Sequence, residues 1–238
     1  MKRAIVLTAP GTNNGPETRH ALETAGASVE MVHINRAASN PGILEEAAAL
    51  VIPGGFSYGD NLGAGKVFSL YLAYRLREHL ERFISKGKLV MGVCNGFQAL
   101  LRAGFLSGGD AQTPITFAPN EGGVFVCRWC RLAPDRSLFW FRGLPEEIDL
   151  PVANAEGKLT ALSSEKVEKN IRAAVRYIDN PNGSLYDIAG ITNPEGNVLG
   201  IMPHPERFIE KWHHPAYRSN GAEEAWGKTI YSNIIKHA

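Results

Sequence analysis

Hydrophobic positions fall in short runs, separated by longer stretches in which they recur at helical spacing. The run RAIVLTA (Arg3–Ala9) is almost wholly apolar and stops at Pro10-Gly11, which predicts a strand buried on both faces. GPETRHALETAG (Gly15–Gly26) follows as a helix, with Pro16 near its start and Gly26 just past its end. VEMVHI (Val29–Ile34) predicts a second strand, and ALVIPGG (Ala49–Gly55) a third that ends at a glycine pair. From Val67 to Ser85 the apolar spacing is helical throughout and predicts one helix, closed by Gly87. LVMGV (Leu89–Val93) is a fourth strand. This alternation predicts an α/β fold, an open and mostly parallel sheet with helices on both faces.

The second half has another rhythm. GGVFVCRWCRLA (Gly122–Ala133), IDLPVANAEG (Ile148–Gly157), AAVRYI (Ala173–Ile178), IAGITN (Ile188–Asn193) and VLGIMPH (Val198–His204) read as strands without helices between them. NPNG and NPEGN serve as turns. An antiparallel extension of the sheet is therefore expected. No repeat, low-complexity segment or linker interrupts the chain, so residues 1–238 are read as a single domain.

Composition narrows the classes. The 238 residues are 44% hydrophobic and 21% charged, ordinary for a globular chain with a substantial core. The net charge of +1, with scattered Lys and Arg, gives no nucleic-acid groove. Three cysteines form no disulfide framework and suit a reducing compartment. The start, MKRAIVLTAPGT, imitates a signal peptide, but its apolar run is only Ala4–Ala9. No apolar run approaches the roughly 18 residues of a membrane span. A cytoplasmic protein without membrane contact is expected.

The candidate chemistry begins at Gly92-Val93-Cys94-Asn95-Gly96, where the fourth strand gives way to the helical pattern FQALLRAG. Free cysteines are commonly buried packing residues. A G-x-C-x-G pattern between strand and helix is also the sulfur counterpart of the G-x-S-x-G nucleophile elbow, which needs glycines because side chains there would collide. Such a turn exposes the sulfur at the positive end of the following helix, with the next backbone N–H free to face a developing oxyanion. A nucleophile needs a base, and the base needs an orienting acceptor. Of the seven histidines, only His204 lies in a rigid turn at a strand end, Pro203-His204-Pro205-Glu206, with Glu206 able to orient it. Two other patterns fail. FSYGDNLGAGKV imitates a phosphate loop, but Asp60 stands where the first glycine belongs and Val67 where Ser or Thr belongs. Cys127-Arg128-Trp129-Cys130 lies in an alternating run that sends the two cysteines to opposite faces, with no second pair to complete a zinc site. His213-His214 likewise lacks partners at metal-ligand spacing.

Gly-x-Cys-x-Gly, a Gly-Gly loop after an earlier strand and a late His-x-Glu resemble the class I (triad-type) glutamine amidotransferases. PGGFSYGD, GVCNGFQ, NPNGS and GIMPHPER, with PGTNN near the start, resemble within that family the glutaminase subunits of phosphoribosylformylglycinamidine synthase. The resemblance implies a flavodoxin-like sheet and hydrolysis of L-glutamine, with ammonia destined for de novo purine (IMP) biosynthesis. It implies Cys94 as nucleophile, His204 as proton shuttle and Glu206 as its orienting acceptor. It implies an oxyanion hole from the Gly55 and Asn95 N–H groups. Gln98 is expected to hold the substrate backbone, and Asn120 and Phe125 to close over its amino-acid end. It implies no cofactor on this chain: ATP and magnesium belong to a large synthetase subunit, joined by a small third subunit. The chain departs from the pattern at Asn154, where many relatives carry a histidine followed by Gly-Glu-Gly. Trp212, Tyr217 and Trp226 fall in a long segment after Arg207 and serve either packing or a partner surface. The alternatives are a cysteine hydrolase of similar architecture (a γ-glutamyl hydrolase, or a peptidase or chaperone of the DJ-1/PfpI kind) and a non-catalytic regulatory module.

Overall fold

The computed structural model of the chain describes residues 1–106, 115–163, 167, 170–219 and 224–238. Its strands are β1 (Arg3–Thr8), β2 (Ser28–His33), β3 (Ala49–Ile52), β4 (Leu89–Val93), β5 (Ile115–Ala118), β6 (Val126–Pro134), β7 (Ile148–Asn154), β8 (Lys158–Ala161), β9 (Arg172–Tyr177), β10 (Ile188–Thr192) and β11 (Val198–Ile201). Its α-helices are α1 (Gly15–Thr24), α2 (Ile34–Ser39), α3 (Lys66–Tyr74), α4 (Arg77–Ser85), α5 (Asn95–Arg102) and α6 (Trp226–His237).

Nine strands form one sheet in the order β2-β1-β3-β4-β11-β10-β9-β6-β7, and β5 pairs with β8 in a small second sheet. The neighbours from β2 to β11 pair in parallel, and those from β11 to β7 antiparallel. This is the flavodoxin-like order, extended on one side. Every residue of β3, β4 and β11 is buried, which a strand achieves only when both faces of the sheet are covered. Helix α1 packs against α6, and α5 against α3, β4 and β11. At the far edge β7 alternates buried and half-buried positions and carries Pro151, which an edge strand tolerates because its missing N–H breaks no ladder.

Two elements differ from the sequence expectation. The helix expected from Val67 to Ser85 is two helices, broken at Arg75-Leu76, where both amides reach back to the Tyr71 carbonyl. The Arg77 side chain stabilises the break by bonding the released Ala73 carbonyl at 3.1 Å and Ala103 O at 2.6 Å. The strand expected from Gly122 begins only at Val126, because Gly122 and Gly123 take left-handed turn conformations (φ 87° and 69°).

Candidate active site

Four adjacent strands, β1, β3, β4 and β11, deliver their following loops to one edge of the sheet. In open α/β sheets that carboxyl edge, at the point where strand order reverses, is where ligands bind. Here the reversal lies between β1 and β3.

Cys94 joins β4 to α5 with φ 49° and ψ −106°, a backbone region that costs an L-residue about 1–3 kcal/mol. The flanking glycines are steric necessities. A Cβ on Gly96 would lie 2.0 Å from Ile52 O, and one on Gly92 2.7 Å from the Gly96 carbonyl. Asn95 opens α5, where the first amides have no acceptor within the helix. Beyond β3, a Cβ on Gly54 would stand 2.8 Å from His204 Cε1 and 3.3 Å from Cys94 Cβ, so the imidazole and the cysteine flank the same backbone. Gly55, at φ 147°, follows directly.

His204 enters from the loop after β11, and its amide donates to Pro151 O of β7 at 2.8 Å. The ring is 1% exposed; Nδ1 lies 2.6 Å from Glu206 Oε1. Asn14 Nδ2 donates to the same carboxylate oxygen at 2.9 Å and lies 3.0 Å from Nδ1. Asn14 Oδ1 in turn accepts from Arg207 Nη2 at 3.1 Å. With Nδ1 engaged by Glu206, the ring's Nε2 is left buried without a hydrogen-bond partner and interacts with Cys94. Burial disfavours the charged ring, yet Glu206 and the Cys94 sulfur outweigh it and raise the imidazole pKa. Burial likewise pushes Glu206 up, but His204 and its hydrogen bonds bring the carboxyl below its ordinary range. The pair therefore favours imidazolium and carboxylate.

Cys94 opens into a cavity of about 150 Å³ lined by Gly55, Phe56, Asp60, Ala64, Gln98 and the Ala153–Glu156 stretch. Its thiol donates to Ala153 O at 3.7 Å. A larger cavity, about 710 Å³, opens at the other end of β4 beside Leu89 and Phe105, with no cysteine in its walls.

The whole chain, residues 1–238, matches the family of CobB/CobQ-like glutamine amidotransferase domains. The chain belongs to that family. It is 41% identical to the phosphoribosylformylglycinamidine synthase subunit PurQ of Dehalococcoides mccartyi, over 99% of this chain and 97% of that one. It is 40% identical to the same-named subunit of Treponema denticola, over 87% of this chain and 88% of that one. Among solved structures it resembles a chain of PurLQS from Thermotoga maritima, with a TM-score of 0.80 and 30% identity over 99% and 98% of the two chains.

In this amidotransferase, the structure brings Cys94, His204, Glu206, Gly55, Asn95 and Gln98 to one locus. Gln98 lines the cavity, but its carboxamide is engaged: Nε2 donates to Glu156 O at 2.7 Å, and Oε1 accepts from Asn95 at 3.2 Å. Asn120 stands behind the wall. Its Nδ2 donates to Asn154 O and Val124 O, and its Oδ1 accepts from Gly157, so it ties two loops together. Phe125 is exposed and packs at 6.4 Å on Phe56, a cavity residue. Asn154 lines the cavity, with both side-chain amide atoms buried and unpartnered. The amides of the loop that imitates a phosphate site are taken up by carboxylates, with Gly65 N–H on Asp60 of the same loop and Ala64 N–H on Glu156 of the loop after β7. Cys127 is exposed and Cys130 buried, as alternation expects. Trp212 and Tyr217 are exposed and Trp226 packs on the core, whereas residues 220–223 of the same segment lie outside those described.

Sequence reasoning missed Asn14, Ser57, Asp60 and Glu156. Asn14 was visible only as part of PGTNN, and no local pattern ties it to a histidine 190 positions away. Ser57 is bound to the site through Asn95 Oδ1, at 2.5 Å from its hydroxyl and 3.2 Å from its amide.

Proposed function

We propose that this chain is the glutamine-hydrolysing subunit of a phosphoribosylformylglycinamidine synthase. The observation that carries the reading is Cys94 on a strained elbow beside the buried His204–Glu206 pair. Cys94 Sγ, its proton already held on His204 Nε2, attacks the side-chain amide carbon of L-glutamine. The Gly55 and Asn95 N–H groups receive the oxyanion, each such donor being worth about 3 kcal/mol of transition-state stabilisation. His204 then protonates the departing ammonia, leaving a γ-glutamyl thioester on Cys94. Water attacks that thioester with the ring as base, and glutamate leaves. Glu206 holds Nδ1–H throughout and stabilises the imidazolium.

The ammonia is delivered to an ATP-dependent synthetase subunit that carries ATP and magnesium, with a small third subunit completing the assembly. No described helix is long and apolar enough to cross a membrane, and the reading places the complex in the cytoplasm with residues 1–238 as one domain. Ammonia released into open water would be protonated and lost, so the free chain is a poor glutaminase. The test is glutamate release by wild type and Cys94→Ala, each alone and with both partner subunits, ATP and formylglycinamide ribonucleotide. Turnover confined to the complete wild-type assembly supports the reading. An active Cys94→Ala variant overturns the nucleophile, and a free chain as fast as the assembly overturns the coupling.

A further inference from the structure

The cavity at Cys94 is electrostatically one-sided. Two carboxylates line it, Asp60 and Glu156, and no cationic side chain does. They are held side by side by consecutive backbone amides: Gly65 N–H donates to Asp60 Oδ1 at 3.1 Å and Ala64 N–H to Glu156 Oε2 at 3.2 Å. Asn95 Nδ2 adds a bond to Asp60 Oδ1 at 3.0 Å, and Arg102 stands 3.9 Å from Glu156 Oε2 outside the lining. Among the described residues every bond to either carboxylate thus falls on one oxygen, and Asp60 Oδ2 and Glu156 Oε1 carry none. Two negative groups against one guanidinium leave an excess of one negative charge at the wall.

The cavity also constrains how a substrate enters. The reacting amide must lie against Cys94 between the Gly55 and Asn95 N–H groups, which sets the other end of an amino acid toward Asp60 and Glu156. Gln98, the residue expected to grip that end, already uses one donor and one acceptor site of its carboxamide within the protein. We propose that Asp60 and Glu156 bind the α-ammonium group of the substrate and so select a free amino acid over other carboxamides. This rests on the glutaminase reading of the same cavity. Supporting it, burial raises the Asp60 pKa, and the Glu156 charge adds to the rise against the bonds from Gly65 and Asn95. A carboxylate so placed is short of positive charge, and a bound ammonium supplies it.

The discriminating substrate is 4-carbamoylbutanoate, which is glutamine without its α-amino group. In the complete assembly its kcat/KM is compared with the kcat/KM of L-glutamine, or, where it is not turned over, its inhibition constant is compared with the KM of L-glutamine. Wild type favours glutamine by roughly tenfold to a hundredfold, the range of a charge-assisted hydrogen bond. Asp60→Asn and Glu156→Gln keep the acceptors for Gly65 and Ala64, and each reduces that preference; the double variant brings it close to parity. A purely structural role lowers both compounds together and leaves the preference unchanged, which overturns the inference. A wild-type preference already near parity overturns it as well. A wild-type assembly that releases ammonia from neither compound overturns the glutaminase reading, and this inference with it.

Discussion

Asn14→Ala tests the support of the buried Glu206 carboxylate, and it also removes the bond that Asn14 Oδ1 accepts from Arg207. Glu206 is 3% exposed, and its Oε2 has no hydrogen-bond partner, so the side-chain bonds that stabilise its charge converge on Oε1. That oxygen has two partners, His204 Nδ1 at 2.6 Å and Asn14 Nδ2 at 2.9 Å. Because the Nδ1 proton points to Glu206, Asn14 donates to the carboxylate and not to the ring. Alanine removes this donor and keeps the Asn14 backbone bonds to Gly54 and Thr18, so the turn into α1 stands. A hydrogen bond to a buried charged group is worth about 1.5–3 kcal/mol. If the transition state, with its imidazolium, loses that amount, kcat/KM for glutamine falls by roughly ten- to a hundredfold, at about 1.4 kcal/mol per factor of ten. Asn14→Asp keeps the shape, removes the donor and adds a like charge, and it falls at least as far. The assay is glutamate release by the complete assembly, with circular dichroism to verify the fold. An Asn14→Ala enzyme within about threefold of wild type, beside a Glu206→Gln enzyme that is strongly impaired, would refute the argument.

Three further outcomes follow from the same geometry. Gly96→Ala forces a methyl to 2.0 Å from Ile52 O and destabilises the chain by about 1–3 kcal/mol or more in urea unfolding; an unchanged midpoint would show that β3 and α5 can separate freely. His204 titrates above its ordinary 6.5 and Glu206 below its ordinary 4.5. The His204 contribution is therefore full below 6.5 and lost as pH rises through the raised value, while that of Glu206 is present above 4.5 and lost as pH falls through the lowered one. The stability difference between wild type and Glu206→Gln is accordingly greatest between those ordinary values and shrinks toward alkaline pH; a difference that is flat with pH contradicts the pairing. Asn154→Leu replaces a buried carboxamide, unpartnered at both atoms, with an apolar side chain of similar size and raises stability by about 1–2 kcal/mol, unless thermal unfolding shows Asn154 to be satisfied in solution.

What the chain reveals before folding follows from the range of each interaction. The strands at the centre of the sheet are legible because β3 and β4 are buried on both faces and read as unbroken apolar runs. The elbow is legible because its constraint is local: the contacts that require Gly92 and Gly96 lie within the strand–turn–helix unit and its neighbour β3. The break at Arg75-Leu76 is not legible, since Leu72, Leu76 and Leu80 keep helical spacing across it, and the Arg77 side chain that stabilises it reaches Ala103 across the fold. Gln98 lines the cavity, but its bond to Glu156 O is not legible in the sequence, because that partner comes from the loop after β7.

Main-chain bonds between neighbouring elements also tie the residues around Cys94 together. These residues come from the loops after β1, β4 and β11, and each is held by a main-chain bond to a different strand or the loop that follows it. The Asn14 amide donates to Gly54 O after β3, the Cys94 amide to Ile201 O of β11, and the His204 amide to Pro151 O of β7. Displacing any one loop therefore strains a neighbour that carries another member of the site. Because these ties are main-chain bonds, side-chain substitutions such as Asn14→Ala leave them in place. The strain at Cys94 persists for the same reason: its amide is held by β11 and its helix by Gly96 against Ile52, so the backbone has no free end through which to relax.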